Sequence, residues 1–267
     1  CCETWIQALG LHVKGIKVPK WPPKEQAIQI IREDGSERIR DWLRQFRRRL
    51  KRITRNNDFQ NILEAIFIRG HVQMADHMAS AHIGKPLCTL LSYKEDILDY
   101  LGLSEQNLYD HQRSCLKTLK SAILIAPTGS GKTESALLWA RNQGNTGKGI
   151  PRLFYTLPYQ ASMNAMYDRL NSGIFHDLVG LEHSRSILAL YRLLLDDNAP
   201  DQAKKKARWA KELVRLHYYP IRILSPYQIL KGFYRIKGYE SLLTDFFGAV
   251  FVFDEIHAYE PKRLGMI

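Results

Sequence analysis

The sequence has few cysteines and no long apolar run. The four cysteines in 267 residues show neither a CxxC pair nor a partnered histidine, so we expect neither a zinc centre nor a disulfide framework. A reducing cytoplasm fits this usage. No apolar run approaches the roughly 18 residues that a membrane span needs, so no membrane partner is expected.

Two further signals are missing at the start of the chain. The segment "CCETWIQALG" has no initiator methionine, and it has no basic region before an apolar core, which argues against a signal peptide. At the other end only ten residues follow His257. We therefore expect that both ends are cut and that the natural chain extends beyond them.

Acidic residues are a minority, 27 against 39 Lys and Arg, which gives a formal net charge of +12. Between Lys14 and Arg55 there are 14 basic residues and five acidic ones. Such an excess indicates a polyanionic partner, most simply nucleic acid, although a solvated helix face is the alternative. A helix explains the apolar stripe of "SERIRDWLRQFRRRLKRI" but not its few acids, which favours nucleic acid. The stripe is Ile39, Leu43, Phe46, Leu50 and Ile53, with Arg40, Arg44, Arg47, Arg48 and Lys51 off it.

The chain changes its pattern along its length. Residues 1–85 have helical periodicity without strand alternation, and Gly84 and Pro86 mark a boundary. After a connecting stretch, short apolar runs alternate with helical segments, which predicts an α/β fold with a parallel sheet covered on both faces. The runs are "SAILIA" (121–126), "RLFYTLP" (152–158), "IRILSP" (221–226) and "GAVFVF" (248–253). A basic helix is predicted at 204–216, as part of an insertion.

The segment "APTGSGKT" (126–133) has the composition of a phosphate-binding loop that opens a helix. Its two glycines let the backbone turn tightly and approach phosphate oxygens, and successive N–H groups form an anion cradle. The candidate nucleotide-binding residues are Thr128, Gly129, Ser130, Gly131, Lys132 and Thr133. We predict that Lys132 reaches the β/γ-phosphates of ATP and that the Thr133 hydroxyl binds Mg²⁺.

The segment "DEIH" (254–257) follows the last apolar run. We predict that Asp254 holds Mg²⁺, directly or through water, and that Glu255 polarises the attacking water as a general base. Such a carboxylate pair, taken alone, is usually a cap or a surface turn. Combined with the upstream loop it predicts a catalytic set of Glu255, Lys132 and Asp254. His257 has two open roles, relaying the nucleotide state or packing.

These motifs together resemble the superfamily-2 helicases, and more specifically the CRISPR-associated helicase–nuclease of type I systems. "FDEIHAYE" (253–260), "LPYQASMNAMYDRL" (157–170), "SPYQILKGFY" (225–234) and "LEHSRS" near His183 resemble segments of that family. The resemblance implies a RecA-like first helicase lobe at 109–267, and it makes Gln112 of "YDHQ" the adenine-reading glutamine. It also implies a path for single-stranded DNA, for which the candidates are Pro158, Gln160, Ser225 and Pro226.

The family carries an HD-type nuclease domain before its helicase, and "QMADHMASA" resembles the last metal-ligand segment of that domain. The resemblance implies that 1–85 is the C-terminal part of such an all-α domain, that 86–108 is a linker, and that Asp76 is a ligand for a divalent transition metal. The upstream ligands of the family are not in this chain. His71 and Asp76 diverge by about 140° around a helix, so His71 does not substitute easily for them.

The resemblance further implies an ATP-dependent helicase that degrades foreign DNA after recruitment by an RNA-guided CRISPR surveillance complex. It assigns the charge-stabilising arginines to a second helicase lobe, so we expect slow ATP turnover by this chain alone. Two alternatives remain open. One is a superfamily-2 DNA helicase or translocase with no CRISPR role, and the other is a non-catalytic, nucleotide-regulated DNA-binding module.

Overall fold

The computed structural model describes residues 59–84, 102–144, 152–173 and 175–261, with the separate positions 25, 29, 37, 40, 41, 44, 45, 47, 48, 98, 99 and 265. The chain divides into two compact units, Cys1–Ile66 and Phe67–Ile267. In the first unit Arg40, Arg44, Arg47 and Arg48 are helical and exposed, as the basic face predicts. The apolar stripe of that segment and Lys51 lie outside the described residues. The boundary at residue 85 and the linker 86–108 stay predictions.

The described residues form eight α-helices and four β-strands. The helices are α1 (Phe59–Ser80), α2 (Asp110–Lys117), α3 (Lys132–Gly144), α4 (Gln160–Asn171), α5 (Ser186–Leu194), α6 (Pro200–Arg215), α7 (Pro226–Phe233) and α8 (Tyr239–Phe246). The strands are β1 (Leu153–Thr156), β2 (Val179–Glu182), β3 (Ile221–Leu224) and β4 (Val250–Phe253). Short 3₁₀ turns occur at Glu105–Asn107 and Ile256–Ala258. No helix among the described residues is long and apolar enough to cross a membrane.

The four strands form one parallel sheet in the order β2-β3-β1-β4. Leu153 of β1 lies opposite Ile221 of β3 and Val250 of β4, so the three strands run in register. The predicted parallel α/β architecture is therefore confirmed. Strand β2 was not predicted, because "VGLE" is short and contains Gly180, a residue that weakens a strand pattern. A Cβ on Gly180 would come within 2.8 Å of the Tyr219 ring, which explains the glycine.

The prediction of a strand at 121–126 is wrong for this structure. The segment forms no ladder, and Ile123 and Ile125 are 87% and 92% exposed. Apolar β-branched residues favour a strand only when a neighbouring strand satisfies their backbone groups and covers their side chains. Among the described residues, β4 is an edge strand that pairs with β1 alone, and residues 121–126 do not join its outer edge.

Helices cover both faces of the sheet, because alternate residues of each strand point to opposite sides. On one face Tyr155 packs with Leu137 and Leu138 of α3 in the main apolar cluster. On the other face the Phe154 ring lies 4.9 Å from that of Phe246 and 5.1 Å from that of Phe251. The carboxyl ends of all four strands consequently meet along one edge, where ligands bind in sheets of this class.

A buried ionic network crosses the second face. Arg222 of β3 is 3% exposed and pairs with Asp245 of α8 and with Glu182 at the end of β2. The Asp245 carboxylate also forms an ion pair with Arg152, whose Nε lies 3.1 Å from Oδ1, and it lies 2.7 Å from Nδ1 of His217. Asp245 of α8 thus contacts Arg152, just before β1, and Arg222 in β3. Arg222 extends the network to Glu182 of β2.

Candidate functional site

The phosphate-loop segment 126–133 folds around the ammonium group of Lys132. Lys132 begins α3, and its Nζ donates to the backbone carbonyls of Ala126 and Pro127, both at 3.1 Å. Gly129 and Gly131 have φ values of +79° and +77°, a conformation that glycine adopts without strain. A Cβ on Gly129 would meet nothing within 4 Å, so the loop is open at this point.

Helix α2 packs directly beneath this loop. Gln112 is 3% exposed, its Oε1 accepts the backbone N–H of Tyr109 at 3.0 Å, and its Nε2 reaches the Gly131 carbonyl at 3.5 Å. His111 Nε2 donates to the Ser130 carbonyl at 2.9 Å. The helix therefore supports the loop backbone through two neighbouring side chains. The adenine-reading role of Gln112 stays a prediction.

Tyr155 connects the two motifs that the sequence predicts as the magnesium ligands. Its hydroxyl donates to Oδ2 of Asp254 at 2.7 Å, and the Thr133 side chain lies beside the same phenol. Burial raises the pKa of Tyr155 far above its ordinary value, and the Asp254 charge raises it further. One phenol thus brings Thr133 and Asp254, from segments more than 100 residues apart, to a common position.

Sequence reasoning missed Tyr155, because it sits inside a strand where an aromatic residue is expected to pack. One signal was present. A buried tyrosine hydroxyl needs a hydrogen-bond partner, and Tyr155 is three residues before the end of a predicted strand whose neighbours carry polar groups. Which residue is the partner of Tyr155 depends on which strand lies beside β1, and the residues next to Tyr155 in the sequence do not determine that strand.

The segment after β4 has an unusual backbone. Glu255 has φ +53° and ψ +41°, in the left-handed region that a non-glycine residue seldom adopts. Oδ1 of Asp254 accepts the Glu255 backbone N–H at 2.8 Å and holds this turn. His257 is exposed. Asp254 thus faces Tyr155, whereas Glu255 begins the following turn.

Tyr259 fastens the segment after the turn to the sheet. It is 5% exposed, and its hydroxyl lies 3.2 Å from Oγ1 of Thr156 and 3.3 Å from the carbonyl of the same residue. Burial raises the pKa of Tyr259 to about 12. The hydroxyl of Thr156 in turn donates to the Val252 carbonyl at 3.1 Å. The turn with Glu255 is thereby held between two anchored ends.

The DNA-binding candidates all lie where strands end and helices begin. Pro158 and Gln160 follow β1, and Ser225 and Pro226 follow β3. Gln160 is exposed, and its Nε2 donates to Oγ of Ser184 at 3.1 Å. Pro226 is buried at the first position of α7, so any role it has in the predicted path is through the helix start that it fixes.

Asp76 does not lie in a metal centre in the described part of the chain. It is exposed on α1, and no group of three His, Cys, Asp or Glu side chains in that part could hold a metal ion. His71 Nδ1 donates to the Phe67 carbonyl at 2.8 Å. The described residues therefore do not fit a transition-metal site, and we derive no nuclease step from them.

Comparison with known proteins identifies the region that contains these motifs. The DEAD/DEAH box helicase family matches residues 109–265. A Methanocaldococcus jannaschii protein, provisionally named CRISPR-associated nuclease/helicase Cas3, is 33% identical over 148 residues, which cover 54% of this chain and 20% of that protein. The CRISPR-associated endonuclease/helicase Cas3 of Thermus thermophilus is 31% identical over 160 residues, covering 54% and 17% respectively.

A third relative is the CRISPR-associated nuclease/helicase Cas3 of Methanothermobacter thermautotrophicus, 27% identical over 151 residues that cover 55% of this chain and 17% of the relative. The matched part of the chain thus spans about a fifth of the length of these curated relatives. No solved structure matches the chain significantly.

Proposed function

Because the chain belongs to the DEAD/DEAH box helicase family, we propose that residues 109–265 bind Mg·ATP between the loop 126–133 and the segment 254–257. We further propose that the whole protein is an ATP-dependent single-stranded-DNA translocase or helicase with a linked nuclease, active in CRISPR antiviral defence. The names of the three relatives, all CRISPR-associated and all combining nuclease and helicase, support this over a helicase without a CRISPR role.

One observation carries the nucleotide-binding part of the proposal. The hydroxyl of Tyr155 donates to Asp254 at 2.7 Å, and Thr133 lies beside the same phenol. A carboxylate and a hydroxyl from two distant motifs are the oxygen ligands that Mg²⁺ prefers. The open backbone at Gly129 and the cationic Lys132 beside it supply room and charge for phosphate. The residues therefore fit Mg·ATP.

Each residue then has a chemical task. Lys132 exchanges its bonds to the loop carbonyls for bonds to phosphate oxygens, and the loop N–H groups bind the same anion. Glu255 orients the attacking water and accepts its proton. Bound Mg²⁺ neutralises the charge that develops on the transferred phosphoryl group. Helix α2 keeps the loop in its binding conformation through Gln112 and His111.

The proposed partners follow from the same site. Single-stranded DNA would run along the carboxyl edge of the sheet, where α4 and α7 begin and present free N–H groups to phosphates. A second helicase lobe would supply the arginines that stabilise the phosphoryl charge, a contribution of roughly 10³ to 10⁵ in rate. An RNA-guided surveillance complex would deliver the DNA. We therefore expect this chain alone to bind Mg·ATP and to turn it over very slowly.

Titration calorimetry with Mg·ATP tests the proposal. We expect Lys132→Ala to weaken binding about ten- to a hundred-fold, because hydrogen bonds to charged groups contribute roughly 1.5–3 kcal/mol. Lys120→Ala is the matched control, since Lys120 is exposed outside the loop and only its backbone carbonyl is used, by Trp139. Equal affinities of the two variants would contradict the assignment, and rapid DNA-stimulated turnover by the wild-type monomer would contradict the need for a second lobe.

A further inference from the structure

Helices α5 and α6 pack side by side and leave a groove on their outer side. We call this the α5–α6 groove; its volume is about 540 Å³, within the range of ligand-sized clefts. The side chains that matter here are Ser184, Arg185, Leu188, Tyr191, Lys204 and Arg208. None of the described residues that line the groove is acidic.

The cations of the groove have no counter-ion among the residues that the structure describes. Arg185, Lys204 and Arg208 are exposed, and the side chains of these residues make no hydrogen bond or ion pair within the described part of the chain. On α6, Lys206 donates to Asn198 at 2.6 Å and Arg215 pairs with Glu212 at 3.1 Å. The groove thus gathers three cations that have no counter-ion among the described residues.

Two of the three groove cations lie on one face of α6. Lys204 and Arg208 are four residues apart on α6, so they project from the same face. Leu188 and Tyr191 are three residues apart on α5, and they give the groove an apolar and aromatic wall. A positively charged row beside an aromatic surface is the combination that binds single-stranded nucleic acid without reading its sequence.

The position of Arg185 is fixed by the fold. His183 is buried, its Nε2 lies 2.8 Å from Oδ1 of Asn164, and its Nδ1 accepts the backbone N–H of Arg185 at 3.2 Å. Burial lowers the pKa of His183, and nearby Lys211 lowers it further, so the neutral ring that accepts this bond is favoured. The turn between β2 and α5 therefore presents Arg185 in a defined orientation.

The groove continues the carboxyl edge of the sheet. Ser184, on its rim, accepts the hydrogen bond from Gln160 at 3.1 Å, and Gln160 is a candidate of the proposed DNA path. In the order β2-β3-β1-β4 the groove follows the end of the edge strand β2, while Asp254 follows β4 at the other edge. Single-stranded DNA that runs past Gln160, in the direction away from the nucleotide site, would therefore reach the groove next.

We propose that the α5–α6 groove binds single-stranded DNA, with Arg185, Lys204 and Arg208 on its phosphates and Tyr191 against a base. This inference rests on the proposed function, because it extends the DNA path of the same lobe. Continuity with Gln160 favours DNA over an acidic protein segment, which would need no connection to the strand-end edge.

Fluorescence anisotropy with a labelled twelve-residue oligothymidylate tests the groove on the full 267-residue chain. We expect the triple variant R185Q/K204Q/R208Q to bind about ten-fold more weakly at physiological salt, and its log–log salt slope to fall by about 0.7 for each lost phosphate contact. The matched control is R192Q/K205Q/K237Q, which removes the same charge from exposed positions outside the groove. The variant R185K/R208K keeps the charge and should bind like the wild type.

The possible results separate the groove from the nucleotide site. Equal weakening by the groove and control variants would overturn the groove, because the effect would then be general charge. Binding of oligoglutamate as tightly as oligothymidylate would also overturn it, in favour of an acidic protein partner. If the chain binds Mg·ATP in a Lys132-dependent way but binds no oligothymidylate, the groove falls and the nucleotide-binding proposal stands. If the chain does not bind Mg·ATP while the groove variant weakens DNA binding selectively, the nucleotide-binding proposal falls and the groove stands.

Discussion

At the scale of single residues, Tyr155 has the largest consequence for the candidate site. Tyr155 is 1% exposed, so its hydroxyl is buried beside the Asp254 carboxylate and Thr133, and water does not reach it to replace the bond to Asp254. A half-buried carboxylate that loses its donor must bear part of its desolvation cost. Tyr155 therefore acts as a positioning residue, since it orients Asp254 and Thr133 and has no predicted bond to ATP.

We predict that Tyr155→Phe lowers the free energy of unfolding by about 1.5–3 kcal/mol, the contribution of a buried hydrogen bond to a charged group. It should also weaken Mg·ATP binding, while ATP binding without Mg²⁺ changes less. Denaturant unfolding and calorimetry measure the two effects. Tyr167→Phe is the control, because Tyr167 is half-buried, with a pKa raised to about 12 by burial, and has no hydrogen-bond partner among the described residues. Similar losses in both variants would contradict the role of Tyr155.

At the scale of elements, the phosphate loop and α2 form one unit. A Cβ on Gly131 would lie 2.4 Å from Nε2 of Gln112, whereas the same atom on Gly129 would meet nothing. Both glycines have positive φ, so alanine strains the backbone at either position. Only at Gly131 does the new methyl group also displace the buried Gln112 side chain of α2.

Gly131→Ala should therefore destabilise the chain more than Gly129→Ala does. We predict a coupling energy of about 0.5–3 kcal/mol between Gly131→Ala and Gln112→Ala, because the second substitution removes the side chain that the new methyl group meets. A double-mutant cycle of unfolding free energies measures it. Gly129→Ala with Gln112→Ala serves as the reference cycle, and equal coupling in both cycles would mean that loop and helix do not act together.

At the scale of the whole molecule, one carboxylate stabilises the layer of helices against the sheet. Asp245 has a fully buried side chain, and burial alone would raise its pKa. The charges of Arg152, His217 and Arg222 outweigh that effect and hold the pKa well below its ordinary value. Removing one member of such a network leaves the other buried charges uncompensated, which is more costly than never having had the network.

We predict that Asp245→Asn destabilises the chain by about 3–5 kcal/mol at neutral pH. The folded-state pKa of Asp245 is depressed. Its contribution to the free energy of unfolding is therefore present above the unfolded-state pKa of about 4 and is lost as the pH falls below that value. Guanidinium unfolding between neutral and acidic pH should therefore show a steeper loss in the wild type than in the variant. Asp197→Asn, at an exposed site, should leave the profile unchanged, and parallel profiles for wild type and Asp245→Asn would refute the linkage.

The sequence alone determined the parts that depend on neighbouring residues. Strand-and-helix alternation after residue 120 and the helix that opens at the loop 126–133 were predicted, because glycine and proline constraints and apolar periodicity act over a few residues. Parallel pairing of β1, β3 and β4 was also confirmed, since a helix between strands requires a crossover.

Tertiary structure decided which strands are neighbours, and the site follows from that. Tyr155 meets Asp254 across 99 residues because β1 and β4 are adjacent, and residues 121–126 do not join the outer edge of β4. The groove beside Gln160 exists because β2 lies at the sheet edge, where α5 and α6 pack outside it. Sheet order is a competition among distant segments for burial and hydrogen bonds, and no local pattern records its outcome.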